Sequence, residues 1–186
     1  MSIPLGGGGA AKGTGDFELC PTGAQQLVCC DVIDLGKIKV RGFGNKGDVL
    51  QHKVVFRWQS EKKMADGRPY LIQRRFTLSS HKKAALRAFL EAWRGKDFTD
   101  DQARDFDTEK LIGVNCWSNV IHRTTPRGIF AEVQTVMPPL PDRKCAVDGY
   151  VRVKDRPPEP GAAAATDPPP DDGDEPAAPA EPPTTF

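Results

Sequence analysis

Residues 70–94 read YLIQRRFTLSSHKKAALRAFLEAWR, and a change of period inside this stretch decides the fold. From Tyr70 to Leu78 the pattern repeats every two residues. Tyr70, Ile72, Arg74 and Phe76 fall on one face, and Leu71, Gln73, Arg75 and Thr77 on the other, which is the signature of a strand. From Lys82 to Arg94 the spacing becomes three and four, aligning Leu86, Phe89, Leu90 and Trp93 on one helical stripe. Ser79 or Ser80 is placed to cap that helix, and Gly95 to end it.

Upstream the two-residue period continues. His52–Ser60 (HKVVFRWQS) sets Val54, Phe56 and Trp58 against Val55, Arg57 and Gln59. Leu27–Asp34 and Lys37–Arg41 bracket Gly36 and read as one long strand broken by a bulge. Residues 42–48 are a Gly-rich turn and Asp66-Gly67 is another. Downstream, Asp100–Phe106 is a short acidic helix. Leu111–Arg123 and Ile129–Met137 are two further strands, joined through Pro126-Arg127-Gly128 and ended by Pro138, Pro139 and Pro141. Three strands, a helix and two strands form the connectivity of the oligonucleotide-binding (OB) Greek-key barrel. An unrelated five-stranded α+β sheet has the same element order. The expected fold class is therefore mainly β, an OB-fold-like five-stranded barrel with a helix between the third and fourth strands.

The ends of the chain have different chemistry. Residues 1–15 are a Gly-rich arm that backbone entropy keeps from ordering alone. Residues 157–186 hold seven acids, ten of the seventeen prolines and no Lys or Arg, an acidic tail expected to stay disordered. The remaining 156 residues carry 26 basic and 18 acidic side chains, a net of +8 hidden within a whole-chain charge of +1. The expected folded domain is 16–156. No apolar run approaches the roughly 18 residues of a membrane helix. Met1 to Gly15 lacks the apolar stretch of a secretory leader. An odd count of five cysteines without paired spacing argues against a disulfide framework, so a cytoplasmic location is expected.

Residues 37–96 concentrate sixteen basic and four acidic side chains, interleaved with Phe43, Phe56, Trp58, Tyr70 and Phe76. Cations beside aromatic faces suit single-stranded nucleic acid. Phosphates need compensating charge, and unpaired bases stack on flat rings at roughly 1–3 kcal/mol each. For each ring the alternative is the core. Arg74 and Arg75 are adjacent on a strand, so one of them must leave the core side. The candidate phosphate contacts are Arg57, Arg74 and Arg75, with Lys37, Lys39 and Arg41 from the first strand. The loop Arg41–Lys46, with aromatic Phe43 and basic Lys46 at its tip, either closes over a bound strand or is a simple turn. Trp58 and Tyr70 are candidate stacking platforms, as is Trp117, whose face carries Asn115, Asn119 and Arg123. Trp93 completes the helix stripe and belongs to the core.

Catalytic and cofactor signals are weak. His52, His81 and His122 are scattered, and no Cys-x-x-Cys, His-Glu-x-x-His or phosphate-loop motif is present. The acids from Asp97 to Glu109 suit a solvated helix start better than a cation site. No enzyme, metal or cofactor is expected. In the tail, Asp171, Asp172, Asp174, Glu175 and the terminal Phe186 offer a partner carboxylates and one ring.

Several segments together resemble bacteriophage single-stranded DNA-binding proteins. They are Asp16-Phe17-Glu18, Cys30-x-x-Ile33-Asp34-Leu35-Gly36, Asp66-Gly67-Arg68-Pro69 and Arg75-Phe76-Thr77-Leu78-Ser79-x-His81. The likeness continues through Leu90-Glu91-x-Trp93-Arg94-Gly95-Lys96-x-Phe98-Thr99 and Asn115-x-x-x-x-Val120-x-His122, so it spans residues 16–140. The resemblance implies an OB fold and a role in phage replication or recombination. The tail ending in Phe186 is similar to those of bacterial single-stranded DNA-binding proteins, which recruit replication and repair enzymes. Here Pro and Ala dilute the acids, and Thr184-Thr185 precede the final ring.

The expected function is sequence-tolerant coating of single-stranded DNA in the host cytoplasm, with replication or recombination proteins recruited by the tail. RNA is an open alternative ligand, because stacking does not sense the 2′-hydroxyl. A protein-interaction role, with the tail mimicking DNA charge on a host enzyme, is the alternative from another class. An exposed strand edge leaves a homo-oligomer open.

Overall fold

The computed structural model describes residues 18–40, 47–125 and 128–156. Five strands, β1 (Gly23–Val40), β2 (Val49–Lys63), β3 (Pro69–Thr77), β4 (Asn115–Thr125) and β5 (Gly128–Met137), form one antiparallel sheet in the order β3-β2-β1-β4-β5. Helix α1 (Ala85–Arg94) and the short α2 (Asp100–Arg104) lie between β3 and β4, followed by a 3₁₀ turn at Thr108–Leu111.

Leu27, Cys29, Val32, Val54, Phe56, Trp58, Ile72 and Phe76 turn to one side and meet Leu86, Phe89, Leu90 and Trp93 of α1. The expected helical stripe is thus the one buried. Phe56 and Trp58 stack with centroids 5.8 Å apart, and Phe76 and Phe89 approach to 4.8 Å. Such aromatic pairs add roughly 0.5–1.5 kcal/mol each beyond the area they bury. The helix is one turn shorter than expected, because its N-cap is Ala84 and no side chain caps it. Gly95 ends it with φ of 67°, where a Cβ would also lie 2.8 Å from Pro138 Cγ. Glycine is required there twice over, by backbone sign and by space.

The expected bulge at Gly36 is present as a register shift between Asp34 and Gly36. A second shift, between Cys29 and Asp31, breaks the strand's alternation. A third lies between Asn119 and Val120, and it lets Val133 and Val136, three residues apart, both reach the core.

The sheet is not closed: among the described residues no ladder joins β3 to β5. A side chain bridges the two strands instead. Arg74 Nη1 donates to the Val133 and Gln134 carbonyls at 2.8 and 2.9 Å, and Nε lies 3.4 Å from Glu132 Oε1. Its guanidinium covers the rings of Phe76 and Phe89 at 4.9 and 5.4 Å.

Eight consecutive residues of β1, 25–32, are buried, so this strand is covered on both sides. The second cover is the segment after β5. Residues 142–156 run as a strap, with a 3₁₀ turn at Val153–Asp155, over the side of the sheet opposite α1. No helix among the described residues is long and apolar enough to cross a membrane.

Candidate nucleic-acid interface

With Val54, Phe56, Trp58, Tyr70, Ile72 and Phe76 turned inward, the alternate positions of β2 and β3 form an outer face. Register pairs Val55 with Arg75, Arg57 with Gln73, and Gln59 with Leu71. On the β1 side Asp31 faces Arg57 and Val28 faces Gln59. Arg57 Nε donates to Gln73 Oε1 at 3.2 Å. This face is polar and cationic at its centre, and Arg75 is the member of the arginine pair that leaves the core side.

The strap is held there by main-chain recognition. Asn115 Nδ2 donates to the Cys145 carbonyl at 2.9 Å and its Oδ1 accepts from Cys145 N at 2.7 Å. Gln59 repeats this on Asp148, donating to its carbonyl at 2.7 Å and accepting from its N–H at 2.9 Å. The Asp148 carboxylate lies 3.1 Å from Lys63 Nζ. Tyr150 Oη accepts from Arg57 Nη1 at 3.1 Å and donates to Asp31 Oδ2 at 3.0 Å. Asp31 also accepts from Arg152 Nε at 3.2 Å and Val153 N at 2.9 Å, so this buried carboxylate is saturated by the strap.

Arg152 continues to Glu109 Oε1 at 2.6 Å, with Lys154 3.2 Å from Oε2. The guanidinium of Arg152, seconded by Lys154, holds the Glu109 carboxyl down at about 2. Burial pushes the Tyr150 phenol above its ordinary value. Cys30, at the β1 bulge, is pushed up to about 12 by burial and then by the neighbouring Asp31 charge.

Beyond the last β3 pair, β1 and β2 continue as a ribbon in which Lys37 faces His52, Ile38 faces Gln51, Lys39 faces Leu50 and Val40 faces Val49. Lys37, Lys39, Leu50 and His52 share one side of it, and both lysines are exposed. His52 Nε2 lies 2.6 Å from Asp34 Oδ1 at the ribbon's base. The Gly36 N–H and then His52 lower the Asp34 carboxyl below its ordinary value.

The expected site residues therefore divide. Lys37, Lys39, Arg57 and Arg75 lie on the outer face or ribbon, although Arg57 is under the strap. Arg41, Phe43 and Lys46 lie outside the described residues, as do Asp171, Asp172, Asp174, Glu175 and Phe186 of the tail. Trp58 is a correction: it is 0 % exposed in the middle of the core cluster and offers no face for stacking. Tyr70 is another. It is 5 % exposed, and its hydroxyl donates to Glu18 Oε1 at 2.7 Å, which pushes the phenol up to about 12. Arg74 also leaves the set of surface contacts, because it faces the core side and its donors go to β5.

Trp117 is half-buried on the outer side of β4, with Arg143 of the strap 5.8 Å from its ring centroid. Arg123 is exposed and pairs with Glu132 at 3.1 Å. Opposite Arg123 in register is Phe130, 40 % exposed, an aromatic that sequence reasoning passed over. No alternation marked it, because its neighbour Ile129 is exposed as well.

Three of the acids of 97–109 have structural duties. Asp100 pairs with Arg87 and Lys82, Asp107 caps the 3₁₀ turn, and Glu109 holds the strap. No protein-family model and no curated protein matches the chain.

Proposed function

We propose that this chain is a sequence-tolerant, non-enzymatic single-stranded DNA-binding protein of phage type, built on an OB-like barrel. The observation that carries the proposal is the segregation on β2 and β3. Val54, Phe56, Trp58, Ile72 and Phe76 face the α1 side. The opposite side carries Arg57, Gln59, Gln73 and Arg75 among Val55 and Leu71, beside the lysine-bearing ribbon, with Arg57 and Gln59 under the strap. In OB folds the strand 2–3 surface and the loops after strands 1 and 4 bind oligonucleotides. The topology agrees with that fold: β1 is shared between β2 and β4, and the outer strands β3 and β5 meet at Arg74. The helix insertion between β3 and β4 agrees too. Lys37 and Lys39 supply phosphate contacts, and Trp117 and Phe130 supply ring faces. The tail of residues 157–186 recruits replication or recombination proteins and, by its charge, competes weakly with nucleic acid.

The test is fluorescence anisotropy of a labelled oligo(dT) of about 30 nucleotides, several OB footprints long. It is run at low and moderate salt with duplex DNA and oligo(U) as competitors. Salt-sensitive binding that duplex fails to displace is the expected result, and oligo(U) then distinguishes DNA from RNA. Absence of binding at low salt overturns the proposal.

A further inference from the structure

The groups the strap places on the outer face are of the kinds a nucleotide carries. Asp148 sets an anionic oxygen 3.1 Å from Lys63 Nζ. Its backbone amide gives Gln59 a paired donor and acceptor, at 2.9 and 2.7 Å, as a base edge would. Tyr150 gives Arg57 an acceptor oxygen at 3.1 Å, while its ring lies under the Arg156 guanidinium at 5.4 Å. Lys63, Gln59 and Arg57, suited to a phosphate, a base edge and a base acceptor, are thus occupied together by two residues, Asp148 and Tyr150.

The attachment of this segment is also of a particular kind. From Arg143 to Tyr150 the described contacts are polar: the Cys145 and Asp148 clamps, Arg143 with Glu61 at 3.5 Å and over Trp117, and the Tyr150 hydroxyl. None of its side chains belongs to the hydrophobic core, and Val147 points outward. Immediately after it comes a separate anchor, where Asp31 holds Arg152 and Val153, and Glu109 holds Arg152 and Lys154. If Arg143–Tyr150 lifts, the buried Asp31 carboxylate keeps two of its three donors, so lifting leaves no uncompensated charge.

Resting on the single-strand-binding function above, we propose that Arg57, Gln59 and Lys63 form a nucleotide subsite. In the unliganded protein Arg143–Tyr150 occupies it as an internal stand-in, and single-stranded nucleic acid binds by taking that segment's place. Arg57 and Gln59 then contact the polar edge of whichever base is present and Lys63 the phosphate, while the Asp31–Arg152–Glu109 anchor keeps the strap tethered.

Two measurements on the full chain test this. Hydrogen exchange follows the Cys145 and Asp148 amides with and without excess oligo(dT), and anisotropy compares wild type with Cys145→Pro and Tyr150→Ala. Cys145→Pro removes the N–H held by Asn115, and Tyr150→Ala removes the hydroxyl that joins Arg57 to Asp31. Displacement predicts faster exchange of both amides when oligo(dT) is bound. It also predicts roughly fivefold tighter binding by each loosened variant, the worth of about one net hydrogen bond on the closed side. The gain should vanish when Gln59→Leu is added. Binding by wild type with unchanged or slower strap exchange, and no gain in either folded variant, overturns the inference and leaves the proposed function standing. Binding by the loosened variants alone supports displacement. No binding by any form overturns both.

Discussion

Replacing Asp31 by alanine should cost the domain about 3 kcal/mol, from three bonds accepted by a charged group at roughly 1.5–3 kcal/mol each, discounted for donors that keep a partner. The carboxylate is 1 % exposed and takes Tyr150 Oη, Arg152 Nε and Val153 N at 3.0, 3.2 and 2.9 Å. Arg152 retains Glu109 and Tyr150 retains Arg57, which brings the sum down. Val153 N loses its acceptor outright. For a domain of this size the loss corresponds to a fall in Tm of roughly 10 °C. Urea unfolding followed by tryptophan fluorescence is a suitable assay, since Trp58 and Trp93 are both buried in the core. Asp31→Asn should fall between, because its amide sets a donor against groups that are themselves donors. A lower midpoint with unchanged m places the strap in the cooperative unit; a lower m means that it detaches first. An Asp31→Ala midpoint within about 0.5 kcal/mol of wild type would refute the reasoning.

Glu109 should show the strap's acid response. Its folded carboxyl lies at about 2 against an ordinary 4.5, so its contribution is fully present above 4.5 and is lost as pH falls through about 2. The stability difference between wild type and Glu109→Gln, measured by denaturation from pH 6 down to 2, should therefore be flat and then shrink toward nil. Thiol labelling at pH 8 should modify half-exposed Cys145 before Cys30, whose thiol is buried and pushed up to about 12. Equal rates in the native protein would contradict the packing over β1. Lys37→Ala with Lys39→Ala should lower the slope of log K against log salt by about 0.7 for each single-strand phosphate that is no longer neutralised, with no change in thermal midpoint. Arg74→Ala should destabilise by about 2 kcal/mol, through two carbonyl bonds and its ring contacts, whether or not nucleic acid is present. Binding comparisons on the outer face are thus cleaner with Arg75→Ala alone.

The strands and α1 were legible because alternation and helical spacing are direct projections of burial. Trp58 shows how far that legibility extends. Its phase with Val54 and Phe56 marks it as core, and only the local density of charge suggested a surface role. The Arg74-Arg75 pair was ambiguous for a physical reason: pattern shows that one must leave the core side but does not show that a guanidinium can cover Phe76 and Phe89. The bulge at Cys29–Asp31 has no glycine to announce it. The strap was illegible because its hold depends on two side-chain amides meeting its main chain, and neither Gln59 nor Asn115 differs in sequence from any surface amide.

Those two clamps also predict which substitutions the strap will tolerate. Gln59 and Asn115 address only the N–H and C=O of residues 148 and 145, so what they register is the spacing of peptide groups rather than the side chains borne there. In a saturation scan, positions 145 and 148 should accept most residues at the clamps, with proline the consistent exception because it has no N–H to give. A one-residue insertion between them should be more damaging than replacing either. Selection at 145 and 148 would then act on length at the clamps, whereas Tyr150, whose hydroxyl joins Arg57 to Asp31, is held by identity.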